Sequence, residues 1–388
     1  MQLIQVTDKS TARQFIQANV LLNKNNPNYI RPLDQDVEMV FDPKKNKAFR
    51  HGEAIRWILK DNNNELIGRI AAFVNKKYKS KGDEGPVGGI GFFDCINEQE
   101  AADMLFDVAG HWLRGKGMYA MDGPINFGER DRWWGLLVEG FQSPLYCMNY
   151  NPPYYQELFE NYGFKLFFNQ VCIGRRTRDP LPPKFLERHA VYAEDRTFRA
   201  VHINKGELER FAEDFTTVYN KAWAGHGGLK EMRKEQALMF MKKMKPVMDE
   251  RIIWFAYHND DPIAIFVNLP DLNHWFKHLD GKFGLLQKLK FLWYKRTRPG
   301  NRFVGLIFGV VPEFQGKGID AYIVVESAKV LQHETEYVDY EMQWIGDFNP
   351  KMINVAYSIG DTFKSRLLVT YRYIFDRTKE FHRHPILS

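Results

Sequence analysis

Cysteine is scarce in this 388-residue chain: Cys95, Cys147 and Cys172 all fall in the first half, without CxxC spacing. That excludes a disulfide framework or a zinc knuckle and predicts three buried thiols. No apolar run approaches the roughly 18 residues that a membrane-spanning helix needs, so no bilayer crossing is expected. The start, MQLIQVTDKS, has neither the basic nor the long apolar region of a signal peptide. It reads as a strand and a polar turn, and a cytoplasmic location is expected. Charge of one sign is also modest: a net +6 does not suggest a nucleic-acid partner and suits an anionic ligand. The familiar signatures GxxxxGK[ST], GxSxG and HExxH are absent, as is GxGxxG between a strand and a helix. His274 and His278 sit four apart beside Asp271 and Asp280, but they read as exposed histidines on a helix face, and no metal site is expected.

What the chain has in quantity is core material. Hydrophobic residues are 44% of it, with 30 Phe and 18 Tyr, enough for two cores. Residues 174–195 carry three prolines and many charges without a sustained period, as an exposed connection would. The expected division is 1–178, a linker 179–195, and 196–388. Each half shows the same coarse order of strand, helices, hairpin, strand, helix, strand, helix, strand. In the first half Ile55–Lys60 and Leu66–Asn75 read as a hairpin, Val87–Asp94 as a strand and Glu98–Arg114 as an amphipathic helix. The second half repeats this with helices Gly206–Trp223 and Leu229–Val247, and the hairpin Arg251–Tyr257 with Pro262–Asn268. Strand Phe303–Val311, helix Ile319–His333 and strand Tyr337–Ile345 follow. A local echo supports duplication: Asn151-Pro152 precedes a helix that ends near Gly163, and Asn349-Pro350 precedes one that ends near Gly360.

The most informative segment is Val310-Val311-Pro312-Glu313-Phe314-Gln315-Gly316-Lys317-Gly318-Ile319-Asp320-Ala321, between a predicted strand and a predicted helix. A helix N-terminus bares unpaired backbone N–H groups and a partial positive charge, so a tight turn there holds a pyrophosphate. Gly316 and Gly318 let the backbone take positive φ and let phosphates approach, while Lys317 adds charge. Arg114-Gly115-Lys116-Gly117 looks similar, but it follows a helix and precedes a strand, and reads as a helix C-cap. At the equivalent place in the first half stands Asp94-Cys95-Ile96-Asn97-Glu98-Gln99-Glu100, acidic and without glycine. Such a stretch repels phosphate.

The segment resembles the acyl-CoA loop of the GNAT family, whose pattern is Gln or Arg, two residues, Gly, one residue, Gly or Ala. Gln315 and Gly318 match; Asp320 departs from the last position, which Ala321 fills only if the turn shifts by one. The resemblance implies an α/β (α+β) fold of two GNAT-like domains, each a mixed, mostly antiparallel sheet flanked by helices, the first without a coenzyme site. It implies acetyl-CoA or acyl-CoA as co-substrate, bound by Phe308, Val310, Val311, Gln315, Gly316, Lys317, Gly318, Ile319, Asp320, Ala321 and Asn349. The pantetheine arm would enter between two splayed parallel strands, here Phe303–Val311 and Tyr337–Ile345. The implied activity is acyl transfer from coenzyme A to a primary amine by direct attack.

An amine is mostly protonated at neutral pH, so a base is useful. Strand alternation places Asp339, Glu341 and Gln343 on one face, with Glu341 central as the candidate. Many GNAT enzymes carry a proton-donating Tyr four residues before the glycine that ends the last helix. That position is Ala356 here, with Tyr357 adjacent as the candidate. Asp320 and Ala356 leave open a non-catalytic acyl-CoA sensor or scaffold. Two insertions complete the reading. Leu272–Arg302 is a basic amphipathic segment with seven cations from Lys282 to Arg302 and no acid among them. It is either a helix packed on its own protein or an interfacial element, in peripheral membrane contact or over a lipid-like acyl substrate. Asp122–Asn149, with Asn126, Glu129, Arg130, Arg132, Trp133 and Trp134, is long enough to line an acceptor cleft.

Overall fold

A computed structural model describes residues 1–223 and 231–387. The first half runs β1 (Gln2–Gln5), α1 (Lys9–Asn23), α2 (Asp34–Val40), β2 (Gly52–Lys60), β3 (Leu66–Asn75), β4 (Val87–Cys95) and α3 (Gln99–Gly115). It continues with β5 (Ala120–Gly123), β6 (Leu136–Glu139), α4 (Tyr155–Tyr162) and β7 (Lys165–Arg176), followed by α5 (Pro183–Ala193). The second half begins β8 (Phe198–His202), α6 (Leu208–Trp223), α7 (Lys234–Met244), β9 (Ile253–His258), β10 (Asp261–Pro270), α8 (Asn273–Phe276) and α9 (Leu285–Thr297). It ends β11 (Arg302–Val310), α10 (Ile319–His333), β12 (Asp339–Gly346), α11 (Pro350–Ser358) and β13 (Thr362–Ile374). The two halves thus repeat one order of elements, with β6 as an insertion in the first and α8 and α9 as an insertion in the second.

Local chemistry sets the boundaries. Asp8 accepts the Thr11 N–H at 2.8 Å and closes a capping box on α1. Asp61 accepts the N–H groups of Asn63 and Glu65 and closes the β2–β3 turn. Asn349 accepts the Met352 N–H and starts α11. Gly163 and Gly360, at the ends of α4 and α11, both take positive φ, as the echoed sequence implies.

All thirteen strands join one sheet in the order β1-β2-β3-β4-β5-β13-β7-β12-β11-β10-β9-β8, with β6 also on β13. Its centre is a reciprocal exchange. The last strand of the chain, β13, lies between β5 and β7, both from the first half, while β7 separates it from β12. Neighbouring strands are antiparallel except β4 with β5 and β11 with β12. One apolar cluster packs α6, α7 and α10 on the second half of the sheet, and two others pack α3, α4 and α1 on the first. All three cysteines are buried, and burial pushes the Cys147 thiol up to about 12.

The segment 174–195, expected as an exposed connection, instead continues β7 through Arg176 and then forms α5, with Arg175, Thr177 and Phe185 buried. Its prolines read as breakers, yet Pro183 sits in the first helical turn, where no N–H is needed. The predicted helix Leu229–Val247 begins among residues outside the described ones; the described helix spans Lys234–Met244.

The insertion before β11 ties the halves together. Asn273 donates to the Pro144 carbonyl at 2.9 Å, Asp34 N–H donates to Gly281 O at 2.7 Å, and Arg31 bonds Asp280 at 3.2 Å. Leu33 of the first half packs with Trp275, Phe276, Leu279 and Phe291.

Candidate functional site

The parallel pair β11 and β12 stays in register for only four residues, Arg302–Gly305 against Asp339–Met342. Beyond Gly305 the two strands part. Mid-sheet strands are normally covered on both faces, as β4 is along its whole length, but Gly305, Leu306, Ile307 and Phe308 are half-exposed. Leu306–Val310 therefore offers a backbone edge free of β12, of the kind an extended ligand can join as an additional strand. An apolar recess of about 80 Å³ adjoins the gap, lined by Phe266, Phe308, Tyr340, Met342, Val355 and Ala356 among others.

β11 runs through a short 3₁₀ turn, Pro312–Phe314, into Gly316 at φ 72° and Gly318 at φ 92°, and α10 begins at Ile319. Gln315 folds back to donate to the Val310 carbonyl at 2.9 Å. A side chain added at Gly316 would meet no atom within 4 Å, whereas one at Gly318, the N-cap of α10, would touch the Arg188 stem at 3.2 Å, so the turn is open at Gly316 and flanked by Arg188 at the helix start. The turn thus bares the first N–H groups of a 15-residue helix toward free space, with Lys317 alongside. Asp320 lies 3.9 Å from the Arg188 guanidinium on α5, which offsets the carboxylate at the mouth of this turn. Tyr192, also on α5, donates to the Lys317 carbonyl at 2.5 Å and holds the turn. These features fit a pyrophosphate.

The expected binding residues divide accordingly. Gln315, Gly316, Lys317 and Gly318 form the turn; Phe308 and Asp320 line the recess; Val311, Ile319 and Ala321 bury their side chains in the core and offer backbone only. Val310 ends β11, and Asn349 caps α11. Of the two catalytic candidates, Tyr357 is 42% exposed and does not line the recess, whereas Ala356 does. Glu341 is buried among cations: Arg366 Nε donates to it at 2.7 Å, Ser365 Oγ at 3.0 Å, and Arg302 Nη1 lies at 3.8 Å. The carboxylate is thus tied to two guanidinium groups and a hydroxyl on β11 and β13.

Tyr340 is the residue that the sequence did not single out. Its ring stacks on Phe303 at 4.8 Å, and a side chain at Gly305 would collide with its hydroxyl. The hydroxyl therefore lies over the point where β11 and β12 part. Burial pushes its pKa above the ordinary tyrosine value, so it is protonated at neutral pH. Alternation placed Tyr340 opposite Glu341, but only the glycine across the strand pair makes room for it.

The first half closes the corresponding gap. Just past the end of β5, Ile125 N–H donates to the Ile90 carbonyl of β4 at 2.8 Å, and a side chain at Gly91 would strike the Ile125 carbonyl. Asp94 is buried against Arg69 at 2.6 Å. Gly117, in the similar-looking Arg114–Gly117 stretch, has φ 75° and ends α3 through Gly117 N–H to Arg114 O. On this half, loop 124–134 instead walls a cavity of about 680 Å³, with Phe73, Phe127, Trp133 and Trp134 along its lining and Arg130, Arg132 and Lys47 among its cations. Asn126 Oδ1 and Trp134 Nε1 are buried there and find no hydrogen-bond partner among the described residues. Buried polar groups are rarely left so. The indole N–H of Trp344 on β12 donates to Arg130 O at 3.3 Å, which sets this loop against the open end of β12.

A split parallel pair running into a glycine turn at a helix N-terminus, on a duplicated mixed sheet, is the GNAT fold in tandem. The chain superposes on the tandem GNAT protein from the clavulanic acid biosynthesis pathway with a TM-score of 0.53, at 12% identity, covering 96% of this chain and 98% of that one. It also matches a GCN5-related glucosamine N-acetyltransferase region in a fungal multi-domain GH3 β-N-acetylglucosaminidase, with a TM-score of 0.54 at 12% identity, and spans 38% of that chain. Among curated proteins it is 23% identical over 367 residues to the bacterial ceramide synthase of Caulobacter vibrioides (strain NA1000 / CB15N), covering 93% of this chain and 94% of that protein. Protein YghO of Escherichia coli (strain K12) is 23% identical over 360 residues, 91% of this chain and 90% of that one. No family model matches the chain.

Proposed function

We propose that this chain is an acyl-CoA-dependent N-acyltransferase that moves an acetyl or longer acyl group to the primary amine of a lipid-like amino alcohol. The observation that carries the reading is the half-open edge of β11 running into the open glycine turn before α10, present in the second half and closed in the first. The acceptor class follows from the likeness to a ceramide synthase, since a ceramide is the N-acyl amide of a long-chain amino alcohol.

When bound, the coenzyme supplies the thioester. The turn at Gln315–Gly318 holds its pyrophosphate, and the Leu306–Val310 edge pairs with the pantetheine arm and aligns it. As the C–N bond forms and the C–S bond breaks, the amine loses a proton to solvent and the departing thiolate takes one from the Tyr340 hydroxyl, which water then restores. The cavity of the first half receives the polar end of the acceptor: Trp134 Nε1 donates to its hydroxyl oxygen and Asn126 Oδ1 accepts from a hydroxyl or amine.

Incubation with long-chain acyl-CoA and a long-chain amino alcohol should release free thiol and an amide of the summed mass. Coenzyme binding without thiol release would instead favour a sensor, the reading that Ala356 at the recess supports. Tyr340→Phe should retain coenzyme affinity and lower turnover by a factor on the order of 10², the low end for losing a general acid. Unchanged turnover would remove Tyr340 from the mechanism. Trp134→Phe keeps an aromatic face but deletes the pyrrole part of the indole with its one donor; the expected result is a KM for the acceptor raised by about three- to tenfold, the worth of one hydrogen bond, with the coenzyme Kd unmoved. A change in the coenzyme Kd instead would place the cavity on the donor side.

A further inference from the structure

The helix α9 presents an apolar face that no other described residue covers. Leu285, Leu286, Leu289, Leu292 and Trp293 are 54–77% exposed, while Phe291 on the opposite side is buried against Trp275 and Phe276. At about 100° per residue, the five exposed side chains fall within roughly a third of the helix circumference. Lys290 flanks that stripe on one edge and Lys288 on the other, and both are exposed. Single exposed apolar side chains are ordinary, but five in one strip, uncovered by any described element, mark an interaction surface.

Charge decides the occupant. Residues 281–302 contain seven cations and no acid. Three of the seven are engaged within the protein: Lys295 donates to Pro246 O at 2.5 Å, Arg298 meets His278 at 3.1 Å, and Arg302 pairs with Asp271 at 2.7 Å. Lys282, Lys288, Lys290 and Arg296 are exposed around the stripe. A second copy docked here about a twofold axis would set these cations against their own images, which disfavours a dimer. An anionic phospholipid leaflet satisfies both features, since leucine and tryptophan enter its apolar boundary while the flanking lysines reach back to the headgroups.

We infer that α9 is an interfacial anchor that seats this protein on anionic lipid surfaces, with its axis in the plane of the membrane. The inference is independent of the acyl transfer proposed above. Because Phe291, Trp275 and Leu279 fix the other side of the helix, the stripe stands ready without a conformational change.

Sedimentation of the intact protein with phosphatidylglycerol-containing vesicles tests this. Binding is expected at low salt, much less at high salt, and far less to pure phosphatidylcholine. Lys288→Gln with Lys290→Gln should weaken it by about 25-fold, near fivefold for each surface cation. Leu286→Glu with Leu289→Glu should abolish it while leaving the melting temperature unchanged, since both side chains already face water. No binding by the unaltered protein, equal binding by the leucine variant, or a stable dimer that this variant dissociates would each overturn the assignment.

Discussion

Gly316→Glu should cost at least three orders of magnitude in coenzyme A affinity, while Gly117→Glu leaves that affinity nearly unchanged. The two glycines are matched in every respect but place. Gly316 has φ 72° and Gly117 φ 75°, and a side chain at either meets nothing within 4 Å. Both substitutions therefore carry the same backbone penalty for a left-handed L-residue, about 1–2 kcal/mol, and should lower the melting temperature by similar amounts. They differ in what the new carboxylate faces. At Gly316 it stands before the N-terminus of α10, in the space assigned to the pyrophosphate. Two like charges about 4 Å apart repel by about 4 kcal/mol near a protein surface, which is about a thousandfold in Kd. At Gly117 the carboxylate points into solvent at the end of α3. Calorimetric titration of both variants with coenzyme A checks the ranking. Equal losses would mean that the turn before α10 is not the anion site.

The elements that build this turn were legible in the sequence. Strand, glycine turn and helix are each signalled by local chemistry, and α10 spans Ile319–His333 as its spacing predicts. The α5 helix was not, because three prolines within four residues look like a break when only one of them starts a helix. The exchange of β7 and β13 leaves no trace in the order of elements, which would read the same if each half kept its own last strand. Pairing partners far apart in the chain are a tertiary outcome. Tyr340 and Asp320 show the same limit at the site. Alternation gave the face of Tyr340, and the loop pattern flagged Asp320, but the glycine opposite one and the arginine beside the other lie on different elements. The stripe of α9 was visible as spacing; that it faces water was not.

The exchanged strand brings with it the residue whose loss should destabilise the molecule most. Arg366 on β13 has no solvent exposure, and each of its nitrogens is bonded: Nε to Glu341 at 2.7 Å, Nη1 to Gln142 O at 2.7 Å and Nη2 to Ser143 O at 2.8 Å. Arg302 stands on the other side of Glu341 and bonds Asp271, so two buried acids are compensated by one buried and one half-buried guanidinium across β11, β12, β13 and the loop of the first half. Arg366→Ala breaks this in two ways. It leaves Glu341 with one guanidinium at 3.8 Å, and it strips the Gln142 carbonyl of its donor, while the Ser143 carbonyl keeps only the longer bond from Arg302 Nη2 at 3.3 Å. Removing one partner of a buried pair costs about 3–5 kcal/mol, because the remaining charge stays in a poorly solvated place. Arg366→Lys keeps the charge but cannot serve three acceptors from a planar fork, and should fall between. The pair of changes Glu341→Leu and Arg366→Met removes both charges and should be less destabilising than Arg366→Ala alone, because it leaves no under-compensated carboxylate at position 341. Chemical denaturation of the four proteins gives the ranking directly. Glu341→Gln then separates the two occupations open to that carboxylate. A structural Glu341 predicts a clear loss of stability, with the turnover of the folded fraction largely kept. A catalytic Glu341 predicts stability within about 0.5 kcal/mol of the unaltered protein, as for a substitution that disturbs no packing, and turnover lower by a factor on the order of 10².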